Sequence, residues 1–204
     1  MKKVGIMGGT FDPIHYGHLI IAENAAEQFS LDHIFFMPTG HSPHKDDHHI
    51  TPPKLRCDMI SLAISDNDKF SLSMLEVESD QVNYTYKTLE TLKKKYVDMQ
   101  FYFILGADSL FMIEKWVHPE RIFKACTILA AVREELDKER LENRINQLKE
   151  RYRASIFPLA TPNFDVSSHH IRKRTASSYT IRYMVPREVE LYIKEKKLYL
   201  TKNN

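Results

Sequence analysis

The sequence predicts an α/β fold of the Rossmann-like, doubly wound type, with a mainly parallel sheet and helices on both faces. Apolar runs of strand length recur along the chain and alternate with segments of helical periodicity, which is the pattern of βαβ units. Right-handed crossovers between such strands produce a parallel sheet. We therefore expect ligands at the carboxyl ends of the strands, near the point where the strand order reverses.

Six apolar runs are predicted to form the strands. The loops that follow the first, second and fourth strands are the first candidates for a binding site. The strands are expected at residues 2–8, 33–38, 70–75, 100–106, 126–132 and 154–160.

The segments between the strands have apolar residues at helical spacing. Thr51 is followed by two prolines, which indicates a capped helix start. The highly charged segment 134–152 is interpreted as a helix with a solvated face, because Leu141, Ile145 and Leu148 share its other side. Helices are expected at 18–29, from 51 onward, at 85–96, 134–152 and 186–198.

Length and composition restrict the class of protein. The 204 residues suit one domain, predicted to span 1–204 with a mainly helical part from about 163 onward. A formal net charge of +2 does not indicate nucleic-acid binding. No apolar run reaches the roughly 18 residues of a membrane span, and no secretory segment is recognised. We expect a cytoplasmic protein with reduced cysteines and with neither a membrane nor a nucleic-acid partner.

The stretch GGTFDPIHYGH, residues 8–18, is the strongest candidate for a site and is called the first turn below. Gly8 and Gly9 close the first strand, where the absence of a Cβ lets the backbone approach a ligand. His15 and His18 lie three residues apart at the start of a helix, so both imidazoles can donate to phosphate oxygens. A zinc pair and two merely packed histidines are the alternatives. The glycine spacing matches neither a dinucleotide fingerprint nor a Walker A loop.

The first turn resembles the signature of the nucleotidyltransferase superfamily that carries the H-x-G-H motif. The form G-G-T/S-F-D-P-x-H-x-G-H is similar to that of adenylyltransferases acting on small phosphorylated substrates. This resemblance implies transfer of AMP from ATP to a phosphate monoester, with release of pyrophosphate. It also implies that His15 and His18 contact the ATP phosphates, with His18 nearest the α-phosphate.

The stretch VSSHHIR, residues 166–172, is similar to the second motif of the superfamily, I-S-S-T-x-I-R. Ser167 or Ser168 can cap a helix whose free N–H groups face an anion, and Arg172 can reach that anion one turn later. His169 stands where the motif has threonine, so no contact by that hydroxyl is carried over.

Further segments resemble nicotinate mononucleotide adenylyltransferases and bear on the acceptor. NYTYKTL (83–89) is similar to their S-Y-T-x-D-T-L, from which Asn83 and Lys87 depart, and LGADSL (105–110) precedes the only tryptophan. Core packing is the alternative role for that tryptophan. The mononucleotide contacts that the resemblance implies are Thr10, His44, Lys45, Tyr84, Thr85, Trp116 and Arg133. The implied ATP contacts are Gly8, Gly9, Thr10, Phe11, His15, His18, Gly106, Asp108, Ser167, Ser168 and Arg172.

An in-line attack of the mononucleotide phosphate on the ATP α-phosphate needs no general base, because the phosphate is already ionised. His18 and Lys45 are expected to stabilise charge at the reacting phosphate, while His15 and Arg172 hold the leaving pyrophosphate. Mg²⁺ is expected as a cofactor carried by ATP, with no metal site of the protein's own. The alternatives are a phosphopantetheine or other small-substrate adenylyltransferase, and an ATP-binding regulator without turnover. The sequence sets no oligomeric state, although the resembled enzymes are commonly homodimers.

Overall fold

The computed structural model describes residues 1–41, 50–132 and 138–200. All of the described strands belong to one sheet and run parallel. Their bounds are Lys2–Gly9 (β1), His33–Pro38 (β2), Phe70–Leu72 (β3), Met99–Gly106 (β4), Thr127–Val132 (β5) and Ile156–Ala160 (β6). The order across the sheet is β3-β2-β1-β4-β5-β6.

Helices cover both faces of this sheet. Their bounds are Tyr16–Gln28 (α1), Pro53–Ala63 (α2), Thr85–Lys95 (α3), Ala107–Met112 (α4), Pro119–Ala125 (α5), Lys138–Tyr152 (α6), Ser168–Ala176 (α7) and Arg187–Glu195 (α8), with a 3₁₀ turn at Ile113–Lys115. Buried residues of α1, α2, α7 and α8 share one apolar cluster, and those of α3, α4, α5 and α6 share the other. The predicted fold class, doubly wound and parallel, is confirmed.

The central strand β1 shows why the sequences of the strands are nearly continuous apolar runs. Val4 and Ile6 belong to the cluster on one face of the sheet, and Met7 belongs to the cluster on the other. A strand covered by helices on both faces has no solvated side to carry polar residues. At Gly5 an added Cβ would lie 3.0 Å from side-chain atoms of Leu31 and Ile34, so the packing leaves no room for one.

Several element boundaries differ from the sequence-based predictions. Strand β3 ends at Leu72 rather than continuing to residue 75. The apolar spacing did not predict the helices α4 and α5. The expected cap at Thr51 is wrong, because the N-cap residue is Pro52 and no side chain caps α2. Residues 134–137 of the expected long helix lie outside the described residues, but the predicted buried side is confirmed, since Leu141, Ile145 and Leu148 are at most 3% exposed.

The strand order places the switch point between β1 and β4. The chain passes outward from β1 to β2 and β3 on one side, and from β4 to β5 and β6 on the other. The carboxyl ends of β1 and β4, at Gly9 and Gly106, therefore lie at the switch point, where sheets of this kind form a crevice for a ligand.

Candidate active site

A cavity of about 290 Å³ opens at the carboxyl ends of the strands, where the fold predicts a ligand. Gly8 and Gly9 at the end of β1, and Thr10 directly after it, line this cavity. Its walls come from β2, from the start of α3 and from the segment that follows α4. A smaller cavity, of about 30 Å³, lies beside His15 and His18.

The first turn places its two imidazoles in contact. His15 is the N-cap residue of α1, and its ring centroid is 3.8 Å from that of His18, with an interplanar angle of 29°. The main-chain N–H of His15 donates to Nδ1 of His18 at 3.3 Å. The proton of a neutral His18 ring is therefore on Nε2. This nitrogen is a donor suited to a phosphate oxygen, in keeping with the predicted role.

Gly17 and Phe11 shape the turn around these rings. A Cβ at Gly17 would lie 3.0 Å from two atoms of the His15 ring, so a side chain there would displace the imidazole. Phe11 is 1% exposed and meets the His18 ring edge to face at 4.9 Å. Its backbone has a φ of 51°, in the left-handed region that side chains other than glycine disfavour. The neighbouring structure must hold the turn in this conformation.

The second superfamily motif, residues 166–172, meets the first turn at the start of α7. Ser167 is the N-cap residue, and its side chain accepts a main-chain N–H of the helix. The hydroxyl of Ser168 donates to the carbonyl of Pro13 at 2.8 Å. Nη1 of Arg172 donates to the carbonyl of Asp12 at 2.7 Å. The structure thus brings together two motifs that lie far apart in the sequence, as the superfamily resemblance implies.

Arg56 is a central residue of this region that the sequence analysis missed. It is 1% exposed, and its guanidinium donates to three main-chain carbonyls, those of Thr51 at 2.9 Å, Thr10 at 2.7 Å and Thr39 at 2.8 Å. These carbonyls belong to the start of α2 and to the segments that follow β1 and β2. Arg56 therefore fixes the relative positions of two loops that border the cavity. The sequence feature that could have revealed Arg56 is that a charged residue stands among the buried positions of a helix.

Asp12 is also held inside the protein. It is 3% exposed, its Oδ1 accepts the hydroxyl of Tyr199 at 2.6 Å, and its Oδ2 accepts the main-chain N–H of Thr51 at 3.2 Å. Both carboxylate oxygens are thus engaged by protein donors. The side chain of Asp12 consequently supports the turn.

The start of α3 and the single tryptophan form the acceptor side of the cavity. Tyr84 is the N-cap residue of α3, and no side chain caps its first N–H groups. Tyr84 and Thr85 both line the cavity, which leaves main-chain donors available to an anion. Trp116 lines it as well, half-buried, with its ring packed edge to face on Phe103 at 6.3 Å. An aromatic ring in the wall of the cavity can stack on a planar ring.

Glu76 is the single charged residue among the described side chains that line the cavity. Thr88 donates its hydroxyl to Oε1 of Glu76 at 2.7 Å. Burial raises the pKa of the Glu76 carboxyl, against the opposing effect of the hydrogen bonds from Thr88 and Thr39. The sequence analysis did not identify this residue, because nothing in its local pattern shows that it faces the cavity.

The segment after β2 is joined to the segment before α3 by two reciprocal hydrogen bonds. The main-chain N–H of His41 donates to Oδ1 of Asn83 at 2.7 Å, and that of Asn83 donates to the carbonyl of His41 at 2.9 Å. A Cβ at Gly40 would overlap the carbonyl of Glu76, so only glycine permits this close approach. Asn83, one of the departures from the family pattern, therefore contributes a side-chain contact to the wall of the cavity.

The remaining predicted site residues divide into two groups. Gly106 is the N-cap residue of α4, and an added Cβ there would meet nothing within 4 Å. Asp108 is exposed near the N-terminus of the same helix. Their contacts with ATP stay predictions. His44, Lys45 and Arg133 lie outside the described residues.

Two searches over the described ranges bear on metals and membranes. In residues 1–41, 50–132 and 138–200, no three His, Cys, Asp or Glu side chains gather in a way that could hold a metal ion. None of the helices in the same ranges combines the length and the apolar character needed to span a bilayer.

The chain is similar to proteins of known family over nearly its whole length. Residues 6–174 match the family described as cytidylyltransferase-like. A protein of Lachnoclostridium phytofermentans named "Probable nicotinate-nucleotide adenylyltransferase" is 44% identical over 98% of this chain and 100% of its own length. A protein of the same name from Clostridium botulinum is 40% identical over 98% of both chains.

The fold is also similar to a solved structure. The nicotinic acid mononucleotide adenylyltransferase of Plasmodium falciparum, complexed with NaAD, superimposes with a TM-score of 0.79 at 22% identity, over 98% of each chain. The contact between the two superfamily motifs, in a doubly wound sheet, agrees with this likeness. The chain belongs to the cytidylyltransferase-like family and, within it, to the nicotinate-nucleotide adenylyltransferases.

Proposed function

We propose that this chain transfers AMP from ATP to nicotinate mononucleotide, forming nicotinate adenine dinucleotide and pyrophosphate, a step of NAD biosynthesis. The observation that carries the proposal is the contact between the first turn and the second superfamily motif, beside a cavity with a tryptophan in its wall. Relatives named nicotinate-nucleotide adenylyltransferase, at about 40% identity over their full length, support it.

The reaction requires positioning and charge stabilisation rather than an activated nucleophile. A phosphate monoester has its second pKa near 6, so the acceptor is a dianion at neutral pH. Its oxygen attacks the α-phosphorus of ATP in line with the leaving pyrophosphate, and one P–O bond forms while the other breaks. The protein must therefore place two anions against each other and offset the charge that concentrates between them.

The ATP side of the site supplies donors from two elements. His18 is proposed to donate from Nε2 to the reacting α-phosphate, and His15 and Arg172 to hold the leaving pyrophosphate. The contact of Arg172 with the Asp12 carbonyl places its guanidinium next to the first turn, and the N-terminus of α7 adds main-chain donors. Lys45, proposed to act with His18, lies outside the described residues.

Mg²⁺ is proposed to enter with ATP and to be held mainly by phosphate oxygens and water. This fits the role of Asp12 in the first turn, because both oxygens of its carboxylate already accept hydrogen bonds from the protein. The ion would offset charge on the phosphates of ATP.

Removal of free divalent cations with a chelator is expected to abolish turnover, and added Mg²⁺ is expected to restore it.

The direct test uses the purified chain with ATP, Mg²⁺ and one acceptor at a time. Pyrophosphate release and formation of the dinucleotide are expected with nicotinate mononucleotide. Nicotinamide mononucleotide and 4′-phosphopantetheine serve as competing acceptors in parallel reactions. Turnover with phosphopantetheine alone would replace the proposed acceptor, and ATP binding without turnover on any acceptor would favour a regulator on the same fold.

Removing the aromatic ring in the Trp116→Ala variant is expected to raise the KM for nicotinate mononucleotide about 10-fold or more, because stacking on an aromatic side chain contributes about 1–3 kcal/mol per base. The KM for ATP should change little. Steady-state kinetics measure both constants, and the Trp116→Phe variant is the matched control because it keeps a ring. An unchanged KM for the mononucleotide in Trp116→Ala would contradict the stacking role.

A further inference from the structure

Tyr199, in the C-terminal segment 187–200, makes a hydrogen bond to the first turn. Tyr199 follows α8, and its hydroxyl donates to Oδ1 of Asp12 at 2.6 Å across a sequence separation of 187 residues. Burial raises the pKa of the Tyr199 phenol, and the nearby Asp12 carboxylate raises it further. The phenol is therefore protonated at neutral pH and acts as the donor.

Asp12 joins three other segments of the structure at this point. Its Oδ2 accepts the N–H of Thr51 before α2, and its carbonyl accepts Nη1 of Arg172 from α7. With Tyr199, donors from three parts of the chain converge on one residue of the first turn. A shift of Asp12 would therefore move Arg172 as well as the histidines that follow in the turn.

The first turn needs such support because its backbone is strained. Phe11, directly before Asp12, has a φ of 51°, and a conformation of this kind persists only where neighbouring contacts enforce it. Arg56 holds the carbonyl of Thr10 on one side of the strained residue. The hydrogen bonds of the Asp12 carboxylate hold the other side.

We propose that Tyr199 is a positioning residue for AMP transfer: by holding Asp12, it keeps His15, His18 and Arg172 in the geometry that the reacting phosphates require. This inference rests on the proposed function. Tyr199 does not contact the reacting atoms in this role and acts through Asp12.

Tyr192 provides a matched control within the same segment. It lies in α8, and its hydroxyl donates to Oδ2 of Asp58 in α2 at 2.6 Å. Burial and the Asp58 carboxylate raise the pKa of Tyr192 to about 12, so this phenol is also a donor at neutral pH. Both tyrosines thus make a short bond to an aspartate, and only the bond of Tyr199 reaches the first turn.

The experiment compares the Tyr199→Phe and Tyr192→Phe variants of the full chain. Each change removes one hydroxyl and keeps the ring, so both variants should lose a similar amount of thermal stability. Tyr199→Phe is expected to lower kcat about 10- to 100-fold, because small displacements of positioned groups cost rates of this order. The KM for nicotinate mononucleotide should stay within about 2-fold, since the hydrogen bonds of Asp12 go to Tyr199, Thr51 and Arg172 and not to the start of α3 or to Trp116. Tyr192→Phe should keep kcat within about 2-fold.

Equal kcat values for the two variants, whether both are high or both are low, would overturn the positioning role. If the wild-type chain shows no turnover with any acceptor, the proposed function fails, and the affinity for ATP, measured by calorimetry, decides the inference separately. A 10-fold or larger loss of ATP affinity in Tyr199→Phe alone would then support it. Equal affinities in the two variants, or no ATP binding by the wild-type chain, would reject it.

Discussion

The His18→Ala variant is expected to lose at least about 100-fold in kcat for AMP transfer, by analogy with the removal of one preorganised donor from an oxyanion site. His18 is expected to donate through Nε2, since its Nδ1 accepts the main-chain N–H of His15 at 3.3 Å. Alanine offers no donor in its place. The developing charge on the α-phosphate would then lose a hydrogen bond that strengthens in the transition state.

Steady-state and single-turnover measurements of pyrophosphate release test this expectation. His33 offers a control of the same residue type, because it lies at the start of β2, away from the carboxyl ends of the strands, and its ring pairs with the hydroxyl of Ser71 at 2.7 Å. His33→Ala should keep kcat within about 2-fold. An unchanged kcat in a folded His18→Ala variant would remove His18 from the catalytic step.

The parts of the fold that the sequence predicted are those that depend on local pattern. The apolar runs mark strands covered on both faces, and the glycines and histidines of the first turn need few long-range partners to be recognised. The N-cap role of Ser167 and the helix start near His15 also follow from neighbouring residues. These features are local because capping and periodicity act within one or two helical turns.

The supports of the site could not be predicted in the same way, because their partners are distant main-chain and side-chain groups. Arg56 donates to carbonyls of the loops after β1 and β2, and a carbonyl has no sequence signature. Tyr199 lies 187 positions from Asp12. Glu76 faces the cavity only because the segments after β2 and before α3 meet. Such contacts are products of the tertiary fold.

The Arg56→Met variant is expected to lose about 3–5 kcal/mol of unfolding free energy, since a buried acceptor left without its donor costs about 1–3 kcal/mol. Methionine fills a similar length but donates to none of the three carbonyls that Arg56 holds. Many domains have only about 5–15 kcal/mol in total. Chemical denaturation measured by circular dichroism gives the free energy of unfolding.

The Arg56→Lys variant separates charge from geometry at the same position. An ammonium group keeps the charge but lacks the planar fork that reaches the carbonyls of Thr10, Thr39 and Thr51 together. It should cost about 2 kcal/mol and leave a folded protein whose kcat is lowered about 10-fold, because the segments after β1 and β2 lose their common support. Lys54→Met, at an exposed position of the same helix, should change neither quantity appreciably. Equal unfolding free energies for Arg56→Met and Lys54→Met would show that the buried guanidinium contributes nothing to the stability of the site.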